Sequence, residues 1–222
     1  MNKFGFTLAE VLVTLGIIGV VAAMTMPTLI SNHQKTVYVT QLKKVYTELS
    51  QAAKRAINDN NAVSLDETRF NSNVVGASSN FLKTYFNVVQ DCDTSLTPCF
   101  AESYKYINGT AFEAYEPEDA VSLASGASIS VRHNAFSYQS DGFHGYMDLH
   151  VDINGAAPPN IVGRDMFYIQ LYSDGKVAEH YDSYVYDAIE SQFEQCLTGE
   201  ANEAYGRGCF SKIVADGWKM DY

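Results

Sequence analysis

"GFTLAEVLVTLGIIGVVAAMTMPTLI", residues 5–30, is apolar enough for the interior of a membrane, yet it carries one carboxylate, Glu10, near its start. Between Glu10 and His33 lie 22 residues without a charge. As a helix they span about 33 Å, enough for a hydrocarbon core of about 30 Å. The run is apolar on every side, which argues against a helix that rests one face on a soluble core. A secretory signal would be shorter and end in a small-x-small cleavage site; "VVAAMTMP" is a poor one. The cut that fits lies ahead of the run, after "MNKFG".

Charge divides the chain at the same end. Residues 1–58 hold Lys3, Lys35, Lys43, Lys44, Lys54 and Arg55 against Glu10 and Glu48, whereas the remaining residues are strongly acidic and bring the total to −11. An acidic body disfavours nucleic acid as a partner, because neutralising phosphates takes clustered Lys and Arg. Past the apolar run, Leu42, Val45, Tyr46, Leu49, Ala52, Ala53 and Ala56 recur at steps of three and four. That spacing predicts an amphipathic continuation of the helix, ending at "NDNN", residues 58–61. Its polar face, with Lys43, Lys44, Lys54 and Arg55, is read as solvated or as contacting the acidic heads of neighbouring copies.

In the remainder, "SSNFLKTYFNVVQDC" predicts a short helix capped by Ser78 or Ser79, with Phe81, Leu82, Tyr85, Phe86 and Val89 on one side. "YEPEDAVSLAS" predicts another, with Pro117 in its first turn. "GYMDLHVDING" alternates Met147, Leu149, Val151 and Ile153 with Tyr146, Asp148, His150 and Asp152, the pattern of a half-buried strand. "ASISVRHNAFSY" reads as the strand before it, and "DMFYIQLYSDGKVAEHY" as a hairpin turning at Ser173–Gly175.

The leader "MNKFG" and the following "FTLAEVLVTLGIIGVVAAMTMP" together resemble the class III leader and N-terminus of type IV pilins and type II secretion pseudopilins. The resemblance implies cleavage between Gly5 and Phe6 by a prepilin peptidase and N-methylation of Phe6. It implies assembly through Phe6 and Glu10 with homologous subunits on an inner-membrane platform, and a helix kink at Pro27. The layout implied is α+β and pilin-like, a long N-terminal helix packed on an antiparallel sheet head. Its parts are a leader (1–5), a transmembrane and filament-core helix (6–30), an amphipathic continuation (31–60) and a periplasmic or extracellular head (61–222). Lys35, Lys43 and Lys44 after the span oppose this orientation by the positive-inside rule; the side on which the leader is cut, and the cysteines, favour it. Gly16 and Gly19 loosen the helix or admit a close neighbour.

A carboxylate at membrane depth needs a partner. Cleavage would free the Phe6 amine four residues before Glu10, and the amine of one copy can neutralise Glu10 of the next.

Cys92, Cys99, Cys196 and Cys209 fit neither zinc-knuckle nor CxxC spacing. With an export-type start they read as two disulfides, and of three connectivities the local one closes most easily; reduced, buried thiols are the alternative. Asp152, Asn154, Asn160 and Asp165 offer oxygen ligands of the kind calcium takes, without EF-hand spacing. Some secretion pseudopilins bind calcium in the head; an ordinary Asp-x-Asn-Gly turn is the preferred reading, so no cofactor is expected. His133, His144, His150 and His180 read as surface or packing residues, and no GxSxG elbow accompanies the serines. An enzymatic site is therefore not expected.

Overall fold

Residues 42–56 form the last turns of one long helix, α1 (Leu8–Asp59), in the computed structural model. The structure describes Gly5 and residues 7–113, 115–136, 145–179, 186–199 and 206–222, with backbone alone at 186–188. The chain divides into two units, Met1–Val37 and Tyr38–Tyr222.

The first unit contains the apolar part of α1, and nothing in that unit covers it: Leu8, Met24 and Leu29 are 79%, 74% and 72% exposed. The hydroxyls of Thr14 and Thr25 donate to the carbonyls of Val11 and Val21, each at 3.0 Å. Side chains bonded back to their own helix need no water, which suits an apolar medium. The stretch is long and apolar enough to cross a membrane, and the helix continues through Pro27.

In the second unit, Leu42, Val45, Leu49, Ala52, Ala53 and Ala56 are buried and Tyr46 partly so, as the spacing predicts. They share one core with a six-stranded antiparallel sheet. In spatial order its strands are β1 (Val88–Asp93), β4 (Asp119–Leu123), β5 (Ser128–Asn134), β6 (Tyr146–Asp152), β7 (Met166–Tyr172) and β8 (Val177–Ala178). A second small sheet pairs β2 (Tyr104–Lys105) with β3 (Ala111–Phe112). Helices α2 (Ala77–Tyr85), α3 (Tyr186–Thr198) and α4 (Cys209–Ala215) belong to the same unit. The expected turn at Ser173–Gly175 joins β7 to β8; a methyl on Gly175 would stand 3.5 Å from the Ala53 methyl, at a φ of +85° that disfavours any side chain.

Register sorts the sheet into two faces. Met147, Leu149 and Val151 pair with Leu171, Ile169 and Phe167, and join the apolar core. Asp148, His150 and Asp152 pair with Gln170, Tyr168 and Met166. The half-buried reading of β6 is corrected here, because this second face is buried too. Tyr104 donates to Asp152, Tyr115 packs on His150 at 4.7 Å, and Arg207 Nη2 donates to the Tyr168 hydroxyl at 3.0 Å. A covered polar face must satisfy itself, and Asp148 does so by accepting from Tyr168 and Gln170.

Two further expectations are corrected. Residues 119–123 are a strand, not a helix: Ala120, Val121 and Leu123 are buried between β1 and β5, and Pro117 stands outside the ladder, where it needs no N–H. Helix α2 is opened by Gly76 at φ +73°, and Ser78 lies inside it, its hydroxyl donating to Glu118 at 2.9 Å. The helix stops at Tyr85, so Phe86 only partly reaches the core and Val89, on β1, is 66% exposed.

Candidate assembly site

The start of α1 carries a reciprocal cap. Glu10 Oε2 accepts from the backbone N–H and the hydroxyl of Thr7, each at 2.8 Å, and Thr7 Oγ1 accepts the Glu10 N–H at 3.3 Å. This is a capping box, in which the side chains of residues three apart satisfy each other's free amides. The signal, Thr-x-x-Glu ahead of an apolar run, stands in the sequence beside the Glu10 question and answers part of it: before any second copy is present, the carboxylate holds the helix end. Gly5 lies just ahead of this box, and Phe6 and the leader residues before Gly5 lie outside the described residues. A methyl added at Gly16 or Gly19 would meet nothing within 4 Å, so neither glycine is required by packing within the chain.

The cysteines form the two local disulfides, Cys92–Cys99 and Cys196–Cys209. The first closes the loop after β1, and the second ties α3 to α4. Gly163 is required beside the second: at φ +82°, its missing methyl would sit 2.5 Å from Cys209 Sγ.

Asp152, Asn154, Asn160 and Asp165 lie in and after β6, around a loop laced by its own hydrogen bonds. Asp152 Oδ1 accepts from Asn154 N at 3.0 Å, while Asp165 accepts from Asn160 N and Ile161 N, both at 2.7 Å. Asn154 Nδ2 donates to the carbonyls of Ala157 and Pro158. Burial pushes the Asp152 carboxyl up to about 8 and raises that of Asp165. The side-chain oxygens of Asn154 and Asn160 are buried without a hydrogen-bond partner.

His150 is a packing residue, its ring against Phe112, Tyr115 and Tyr168. His133 is exposed, 3.5 Å from Glu118; His144 and His180 lie outside the described residues.

A glycine, a Thr–Glu cap and a bare apolar helix, followed by an antiparallel head, define the front end and layout of a pilin-like α+β protein. In particular, residues 1–26 match the prokaryotic N-terminal methylation motif, the class III prepilin leader of type IV pilins and pseudopilins. That leader implies processing by a prepilin peptidase and assembly with other pilin subunits, and with the apolar helix it fits anchoring in a membrane. No curated protein and no solved structure matches the chain.

Proposed function

We propose that the chain is a structural subunit of a type IV pilus-like filament, and among these a pseudopilin of a type II secretion-like system. It is inserted in the cytoplasmic membrane with its head outside, cut between Gly5 and Phe6, methylated on Phe6 and drawn into the filament by an inner-membrane platform. The observation that carries this reading is the Thr7–Glu10 cap at the head of an apolar helix that its own unit leaves exposed. In lipid such a helix gains by packing on copies of itself, and Gly16 and Gly19 admit close approach. Freed by cleavage, the Phe6 amine of a neighbour offers Glu10 a full charge in place of the neutral Thr7 donors. Because this pair forms at one axial offset only, it sets register as well as offsetting the carboxylate's desolvation. A pilus subunit for adhesion, motility or DNA uptake uses the same device.

Expressed with its peptidase and platform, the chain should be recovered in sheared or surface filaments. Persistence in the membrane as a monomer under those conditions would contradict the reading. That second outcome fits a membrane-anchored calcium-binding head, supported by the unpartnered oxygens of Asn154 and Asn160 beside Asp152 and Asp165. Those four residues would hold the ion, whose charge would offset two buried carboxylates. On that reading EDTA lowers the melting temperature of the wild type by clearly more than that of Asp165→Asn.

A further inference from the structure

A different carboxylate group lies where β1 meets β4. Asp91 and Asp93 sit on β1, where they pair with Val121 and Ala120, and Asp119 opens β4. The Cys92–Cys99 bond anchors β1 between the first two. One carboxylate oxygen from each of the three lies within 4.8 Å of the others. Oxygens sharing one calcium ion at about 2.3–2.6 Å stand at most about 4.6–5.2 Å apart, so the group fits within a calcium coordination sphere.

Charge is not balanced there. Lys83, from α2, pairs with Asp91 and lies 3.8 Å from Asp93. One ammonium thus faces three carboxylates. It also leaves the deepest of them incomplete: Asp119 is only 1% exposed, yet its Oδ2 has no hydrogen-bond partner. A buried acceptor in that state is destabilising, and such an atom calls for a ligand. Burial raises the Asp119 carboxyl, against the lowering effects of Lys83 and the Ser79 side chain. Asp93 is 82% exposed on the outer side, which leaves room for the water ligands that calcium keeps at a surface site.

We infer that Asp91, Asp93 and Asp119 form a calcium site in which Lys83 is the resident counter-ion that the metal displaces. Asp119 Oδ2 supplies the inner ligand, Asp91 and Asp93 the outer ones, and the half-exposed Lys83 side chain swings toward solvent when the ion enters. The site is distinct from the loop of Asp152 and Asp165 and stands whether or not the filament reading holds. It ties β1, and the disulfide-closed loop that begins there, to β4, so calcium stiffens that edge of the head.

Isothermal titration of the full chain in detergent micelles with calcium chloride tests it. The expected result is one saturable site that Asp119→Asn and Asp93→Asn each weaken by about tenfold or more. Lys83→Gln, by removing the competing cation, tightens the same site about threefold to tenfold. Asp165→Asn leaves this site unchanged, which separates it from the loop. Asp93 is so exposed that its substitution tests ligation without disturbing the fold. Absence of a saturable site in the wild type, a site indifferent to Asp93→Asn, or a Lys83→Gln variant that binds no better would each overturn the inference.

Discussion

Glu10→Ala leaves the chain inserted and cut after Gly5, but lowers its amount in filaments to below about a tenth of wild type, by removing the one charge in the apolar helix that can pair with a neighbour's amine. The measurement is immunoblotting of sheared filaments against membranes, with the mobility of the processed form as the internal control. Alanine extends the apolar helix and favours helix formation, so a failure to insert is not expected. The variant also loses the two bonds that the Glu10 carboxylate accepts from Thr7, which frays the first turn. Glu10→Gln separates the two effects: it keeps an acceptor for the cap and removes the charge. Loss of filaments in both variants assigns the defect to pairing; a normal yield from Glu10→Gln would assign it to the helix end.

The second large effect lies at the far end of the chain. Glu179, just after β8, is wholly buried and caps α4 from a distance: it accepts from the N–H groups of Gly208, Phe210 and Ser211 at 3.0, 3.2 and 3.0 Å. That helix brings Cys209, Phe210 and Ile213 into the core, and the chain beyond it sets Trp218 against Tyr46 of α1 at 5.2 Å. Glu179→Ala strands three amides with no acceptor, and is expected to destabilise the head by about 3–4 kcal/mol in urea unfolding. Burial pushes the Glu179 carboxyl up to about 7 from its ordinary 4.5, against the pull of its N–H donors. A raised folded value means that the native state binds the proton more tightly than the unfolded one. Its stability contribution is therefore complete below about 4.5 and is lost as the pH rises through about 7. Glu179→Gln keeps an acceptor and removes the titration, so the slope of stability against pH in that window should flatten.

The same two residues show what a sequence can disclose. Glu10 stands out because a charge in an apolar run is a local anomaly, and its Thr7 partner lies three positions away, within reach of a motif. Glu179 carries no such mark: its partners stand 29–32 residues on, and only the fold brings them together. Periodicity made α1 legible from Leu42 to Ala56, and alternation made β6 and β7 legible as strands. Alternation could not reveal that the polar face of β6 is covered, since what covers it, Tyr104, Tyr115 and Arg207, comes from distant segments. The strand at 119–123 was obscured by the Glu-Pro-Glu-Asp lead, which imitates a helix start although the residues behind it belong between two strands. Helices α3 and α4 were hidden because their burial is arranged by a disulfide and a remote cap rather than by a long apolar stripe.

The central claim is that cleavage creates the amine which makes Glu10 tolerable in a bundle of helices. Intact-mass spectrometry of the protein recovered from native filaments or membranes tests it most directly. The account predicts a chain beginning at a methylated Phe6, with Met1–Gly5 gone; a mature, assembled protein that still carries those first residues would contradict it.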